Sequence, residues 1–359
     1  MTRARPGPLR LAPFFSVAAF RSTTILCGMP NIIAPPSWRI PERFVTPEAV
    51  FRDRRRFLQE MGLLGSGLLA APLIGQARDA EPAPAKPVSP ATGAATTKAG
   101  KYPAPRNPKF DGKALQLTAA DVPGKYNNFY EFTTSKERVH RMVDKFTIDP
   151  WAIQIGGLCE KPMTLQMGDL LSEFALEERV YRFRCVEAWA MVVPWTGFPL
   201  AKLLAKVQPK AEAKFVKFVT AMRPDQMPGI ERLRGYPWPY TEGLRIDEAM
   251  DDLVLLATGI YGRPLPKQHG APVRLVVPWK YGYKSIKSIA RIELVATQPA
   301  TLWETLSAEE YPFESNVDPK VTHPRWSQAT ERLIDTGDRV PTLPYNGYGD
   351  QVAKYYRKG

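Results

Sequence analysis

Short alternating apolar runs, cut apart by proline and glycine, set the limits on how this chain can fold. Residues 152–156 alternate apolar and polar and then turn at Gly157. Residues 215–220, 273–277 and 289–294 repeat the period of two that marks a half-buried strand. Helical patterns are few and short, at 166–173, 199–207 and 246–251. The 36 Pro and 25 Gly fall largely between these runs and imply long shaped loops, where binding groups tend to sit. The reading is an α+β chain with substantial sheet and no internal repeat.

The first hundred residues read differently. Asp53-Arg-Arg-Arg-Phe-Leu-Gln59 is a twin-arginine export pattern, followed by an apolar run at 61–75. That run is shorter than the about 20 residues a membrane span needs, and Gly75-Gln-Ala77 offers the small residues of a cleavage site. Residues 80–100 are rich in Pro, Ala and Thr and cannot build a core. The expected organisation is therefore a signal region at 1–77, a disordered linker at 78–105 and a folded domain at 106–359. Residues 1–28 are either an over-extended start, with Met29 as the true one, or a real extension; in both cases Cys27 leaves with the signal. Such a pathway exports folded proteins, so the expected location is the periplasm, reached through the twin-arginine machinery with any cofactor already in place.

The chain carries a net +13, but residues 1–77 hold 10 of the 49 Lys/Arg and 4 of the 36 Asp/Glu. The remainder, 39 basic against 32 acidic residues, is mildly basic and well mixed. No Lys/Arg tract with interleaved aromatics points to nucleic acid. There is no Walker loop and no GxGxxG. Three histidines (His140, His269, His323) argue against a His-rich zinc or iron site, and no cysteine set suits a c-type haem or an Fe–S cluster. About 280 mature residues can bury one large core.

Chemistry concentrates around Cys185. It sits between a strand-like run, Tyr181-Arg-Phe-Arg184, and a Trp/Pro/Gly-rich segment, 189–199. Arg182 and Arg184 beside it would favour the thiolate, the form that binds metals or attacks electrophiles. By spacing alone, a buried hydrophobe or a Cys159–Cys185 disulfide fits as well. Three further segments carry polar groups suited to a phosphate-bearing ligand: 126–132, 268–274 with His269 and Arg274, and 281–289 with Lys284 and Lys287. Each alone also fits a bland role: His269 a turn cap, the lysines a solvated strand face.

Together the segments Asn127-Asn-Phe-Tyr-Glu131, Arg184-Cys-Val-Glu-Ala-Trp189, Gln226-Met-Pro-Gly229, Val277-Pro-Trp-Lys-Tyr-Gly282, His323-Pro-Arg-Trp-Ser-Gln-Ala-Thr-Glu-Arg332 and Asn346-Gly347 resemble the periplasmic protein-methionine-sulfoxide reductases, molybdenum enzymes with the sulfite-oxidase fold. The likeness runs from about residue 45 to the C-terminus. It implies a strand-rich molybdopterin-binding fold with long loops and one Mo-molybdopterin per chain. It implies that the Cys185 thiolate binds the metal. Asn127, Tyr130, Glu131, Thr220, His269, Arg274, Ser285, Ile286 and Lys287 match positions that contact the cofactor. His269 stands where the best-known members have asparagine and resembles the sulfite oxidases there. The implied reaction is reduction of methionine sulfoxide, free or in oxidised periplasmic proteins. The implied electron donor is a haem-containing membrane subunit, with this chain otherwise a monomer.

Glu187 separates this chain from the sulfite oxidases, which resemble one another in placing arginines after the cysteine. A carboxylate beside the metal would repel sulfite and tolerate a neutral sulfoxide. It could also supply or relay protons; an ion pair with Arg182 or Arg184 is the equal alternative. The rival functions are a sulfite dehydrogenase, a small-molecule S- or N-oxide reductase of the same fold, and a non-catalytic periplasmic binding or scaffold protein.

Overall fold

Two β-sheets carry the fold, seen in a computed structural model that describes residues 101–356. In chain order the strands are β1 (Ala152–Gly157), β2 (Met163–Gln166), β3 (Glu177–Arg184), β4 (Trp189–Pro199), β5 (Phe215–Thr220) and β6 (Thr241–Arg245), then β7 (Leu255–Ile260), β8 (Arg263–Pro264), β9 (Arg274–Val276), β10 (Ile289–Val295), β11 (Thr330–Leu333) and β12 (Arg339–Pro341). One sheet runs β2-β1-β10-β5-β6. The other runs β12-β11-β4-β7-β8, with β3 also on β4 and β9 also on β7. Only the β1–β10 and β11–β4 pairings are parallel among these named strands.

The alternating runs sit where their period predicts. β5 spans 215–220 and pairs on both sides, with Val216, Phe218 and Val219 buried. The three expected helices form as Met167–Glu173, Leu200–Val207 and Ile246–Ala249. In Leu200–Val207 the buried residues are Leu200, Leu203, Leu204 and Val207, the single stripe by which a short helix packs on a sheet.

The segment after Cys185 departs most from what its composition suggests. Its Trp, Pro and Gly residues form β4, the longest strand, buried along its whole length. Proline belongs in a strand only where its missing N–H is not needed. Val192 turns its N–H and C=O away from β3, to Thr118 (3.1 and 3.0 Å). Pro194, two residues on, faces that same side, before β7 begins pairing at Trp195, and its carbonyl accepts from Tyr261 N. The strand therefore passes from Thr118 to β7 without an unpaired donor at the proline.

Residues 101–105, expected in the linker, instead dock on the domain. Tyr102 Oη reaches Thr258 Oγ1 (2.7 Å) and Glu178 N donates to Pro105 O (2.8 Å). An aromatic side chain with a buried partner outweighs the Pro/Ala composition around it. The signal region and residues 78–100 lie outside the described residues. No helix among the described residues is long and apolar enough to cross a membrane.

Candidate active site

Cys185 occupies a tight turn between β3 and β4. Its N–H donates to Trp189 O (2.9 Å) and Ala188 N donates back to Cys185 O (3.1 Å). Closing the turn puts Ala188 at φ 61°, a left-handed conformation that costs a non-glycine residue about 1 kcal/mol or more. The neighbouring C-terminal segment holds that shape. Val186 O accepts from Trp326 Nε1 and Gln328 Nε2, each at 2.8 Å. Arg332 N donates to Ala188 O (2.9 Å) and β11 pairs in parallel with the start of β4. The motif at 323–332 thus acts through backbone carbonyls of the cysteine turn.

The arginines beside Cys185 make no hydrogen bond to the thiol, and the Arg184 charge favours the thiolate too little to offset burial. Arg184 Nε and Arg182 Nη2 bind the two oxygens of Glu331, at 2.9 and 2.5 Å, and Arg184 also donates to Gln328 Oε1 and to Cys185 O. Burial, then the charge of Glu187, push the Cys185 thiol up to about 12. The thiolate bias expected from sequence is therefore reversed in the protein alone; the proton leaves when a metal takes the sulfur. Cys159 and Cys185 are both free and buried, so the disulfide alternative is excluded.

Glu187 pairs with neither arginine. Its Oε1 lies 3.1 Å from Lys136 Nζ. Its Oε2 accepts from Asn128 Nδ2 and Trp189 Nε1, both at 3.2 Å, and lies 3.6 Å from Cys185 Sγ. Burial works to raise this carboxyl, but the Lys136 charge and the three donors outweigh it and hold it below the ordinary carboxylate range. Glu187 is an anion at neutral pH, which makes it a proton acceptor and an orienting group and rules out a standing acid. Asn128 Nδ2 also donates to Cys185 Sγ (3.4 Å). Asn128 and Lys136 are site residues that sequence reasoning missed. Asn128 lies inside a segment already marked; Lys136 sits in a turn outside every motif, tied by backbone where Asn127 N donates to Lys136 O (3.0 Å).

Cys185, Glu187, Asn128 and Trp189 line a cavity of about 1010 Å³, counting its open mouth; Lys136, which pairs with Glu187, is not among its lining residues. Asn127, Tyr130, Glu131, His269, Arg274, Ser285, Ile286 and Lys287 line it with Cys185 and Glu187. Thr220 does not. The resemblance implies a cofactor contact for Thr220, but it lies behind the wall, where Oγ1 donates to Lys287 O (2.8 Å) and fixes that loop instead. Two glycines allow the walls to close. Gly229 N donates to Glu131 O (2.7 Å), an approach with no room for a Cβ. Gly270, at φ 92°, brings the His269 turn against Lys287, where a Cβ would collide.

The cationic end of the cavity holds Arg274 and Lys287, for which no carboxylate stands within ion-pair distance among the described residues. Three of Arg274's five N–H donors go to backbone carbonyls, those of Leu275, His269 and Ser285. Its guanidinium also stacks over Trp195 (4.7 Å). Lys287 Nζ donates to Asn128 O (2.7 Å). Burial lowers both cations, Arg274 to about 9, and burial raises the Glu131 carboxyl nearby. His269 is buried there as well, and burial followed by the Arg274 and Lys287 charges pushes it down to about 3, so it is neutral. Lys284 fits neither reading, phosphate ligand or solvated strand face: it does not line the cavity and is buried against Glu242 (2.7 Å). A buried Arg274 and a half-buried Lys287, neither with an ion-pair partner among the described residues, call for an anion. Asn127 Oδ1 and Asn128 Oδ1 are buried without a partner among the described residues, acceptors waiting for donors. A phosphate-bearing pterin fits this donor and acceptor set, with its metal held by Cys185.

The comparisons agree. A model of the oxidoreductase molybdopterin binding domain matches residues 140–303. Three relatives bear the name protein-methionine-sulfoxide reductase catalytic subunit MsrP. That of Xanthomonas axonopodis pv. citri is 48% identical over 323 residues, 88% of this chain and 95% of its own. That of Xanthomonas campestris pv. campestris is 47% identical over 324 residues, 89% and 95% of the two chains. That of Burkholderia mallei is 48% identical over 323 residues, 89% and 93%. On this likeness and on a cavity built for its cofactor, the chain belongs to the family of protein-methionine-sulfoxide reductase catalytic subunits.

Proposed function

We propose that this protein reduces methionine sulfoxide, free or within oxidised proteins, to methionine, using one Mo-molybdopterin per chain. The observation that carries this is the setting of Cys185: an ionised Glu187 paired with Lys136 stands 3.6 Å from Sγ, where an anion-binding site would need unpaired arginines. Bound in the cavity, the cofactor would supply two electrons and accept the sulfoxide oxygen. Cys185 would hold the metal, Arg274 and Lys287 the phosphate, and Asn127 a pterin donor. Asn128 orients the sulfur and Glu187 together. Trp189, Tyr130, Trp303 and Tyr311 give the cavity apolar walls suited to a thioether stem. Family likeness supports a periplasmic location, twin-arginine export and a haem-containing membrane electron donor.

The test is oxidation of reduced viologen by the molybdenum-loaded protein on addition of methionine-sulfoxide-containing protein. Turnover is expected, and expected to vanish in Cys185→Ser. Sulfite oxidation without sulfoxide reduction would replace this reading by the dehydrogenase one.

A further inference from the structure

Lys136 is absent from every motif, yet its ammonium pairs with the carboxylate that stands beside Cys185. Its position is fixed by backbone: Asn127 N donates to Lys136 O (3.0 Å), and Arg138 N to Ser135 O (3.1 Å). Its ammonium lies 3.1 Å from Glu187 Oε1, with side-chain exposures of 19% and 29% for the pair. Both side chains are thus partly exposed; Glu187 lines the cavity and Lys136 meets it from outside the lining. No other carboxylate stands within ion-pair distance of Lys136 among the described residues. The cations that line the cavity are Arg274, buried, and Lys287, half-buried; in the reading above the cofactor phosphate answers both.

We infer that Lys136 is a specificity-determining residue, cancelling the Glu187 charge so that the substrate end of the cavity is neutral and admits uncharged S-oxides over tetrahedral and pyramidal oxyanions such as sulfate and sulfite. The inference rests on the sulfoxide-reductase reading and adds what the pair selects against. Lys136 alone would attract an oxyanion; Glu187 alone would leave an uncompensated carboxylate beside the metal. Together they leave hydrogen-bonding groups with no net charge.

The experiment uses the molybdenum-loaded protein and inorganic sulfate as the probe, read by calorimetry and by competition with methionine sulfoxide. The wild type should bind sulfate weakly. Glu187→Gln, which frees the ammonium, should bind it at least tenfold tighter. Glu187→Gln with Lys136→Met should fall back to the wild-type level, and Glu187→Gln with Lys136→Arg should keep the gain, which a folding defect would not do. Sulfate binding unchanged in Glu187→Gln, or equally tight in the Met double variant, would overturn the inference. Calorimetric binding is independent of turnover, so a wild type that fails to reduce sulfoxide would remove the activity reading and leave the charge result to be judged separately.

Discussion

Two ion pairs flank the turn that carries Cys185, one behind it and one in front. Behind, Arg184 and Glu331 meet at 2.9 Å with both side chains fully buried. In front, Lys136 and Glu187 meet at 3.1 Å, both partly open to solvent. A buried pair repays the loss of water only when every remaining donor is matched, and Arg184 meets this with Gln328 Oε1 and Cys185 O. Such a pair is expensive to break and chemically silent. The front pair is cheap to break, and its charges stand beside the reacting sulfur. A basic residue paired with a glutamate thus does opposite work in the two places, and solvent exposure decides which.

The largest expected effect breaks the rear pair from one side. Glu331→Ala strands a buried guanidinium and should lower unfolding free energy by about 3–5 kcal/mol, measured by urea denaturation. A near-normal midpoint would mean the rear pair does not carry the turn. Gln328→Leu removes one donor to Val186 O and one acceptor from Arg184, with an expected loss of about 1–3 kcal/mol. It should also reduce molybdenum retention, because the cysteine turn loses a support.

His269 tests the same contrast between buried and open groups through pH. Its pKa, held at about 3 in the folded chain against an ordinary 6.5, means that the unfolded chain binds the extra proton between those values. Stability of the cofactor-free protein should therefore be full above pH 6.5 and fall as pH drops toward 3, by about 2 kcal/mol at pH 5. His269→Asn should flatten that slope; an unchanged acid limb would show that another group governs it.

Much of this was legible in the residues and some was not, for physical reasons. Period-two runs such as 215–220 announce their strand because one face is buried and the other is polar. β4 hides because it is buried along its length, and its prolines are tolerated only through Thr118 and the late start of β7, contacts far off in sequence. The ordered motifs marked ten of the wall residues. The sign of the cysteine's acidity is not legible in the residues because burial, followed by the Glu187 charge, outweighs the Arg184 charge, while both arginine side chains bind Glu331, about 150 positions away. Lys136 was invisible for the converse reason: a single lysine in a polar turn matters only once folding brings it to Glu187.

The smallest expected effect is the one that separates the two pairs most sharply. Lys136→Met removes a partly exposed ion pair, a change that costs about 0–1 kcal/mol elsewhere on protein surfaces. Urea denaturation should place this variant within about 1 kcal/mol of the wild type, far from Glu331→Ala. Its kinetics should nonetheless move, since Glu187 keeps Asn128 and Trp189 as donors but loses the charge that holds it ionised. A variant as unstable as Glu331→Ala would make the front pair a structural brace like the rear one. Full stability together with wild-type kinetics for sulfoxide would mean that the charge of Lys136 is irrelevant to turnover, leaving the exclusion of oxyanions as its remaining use.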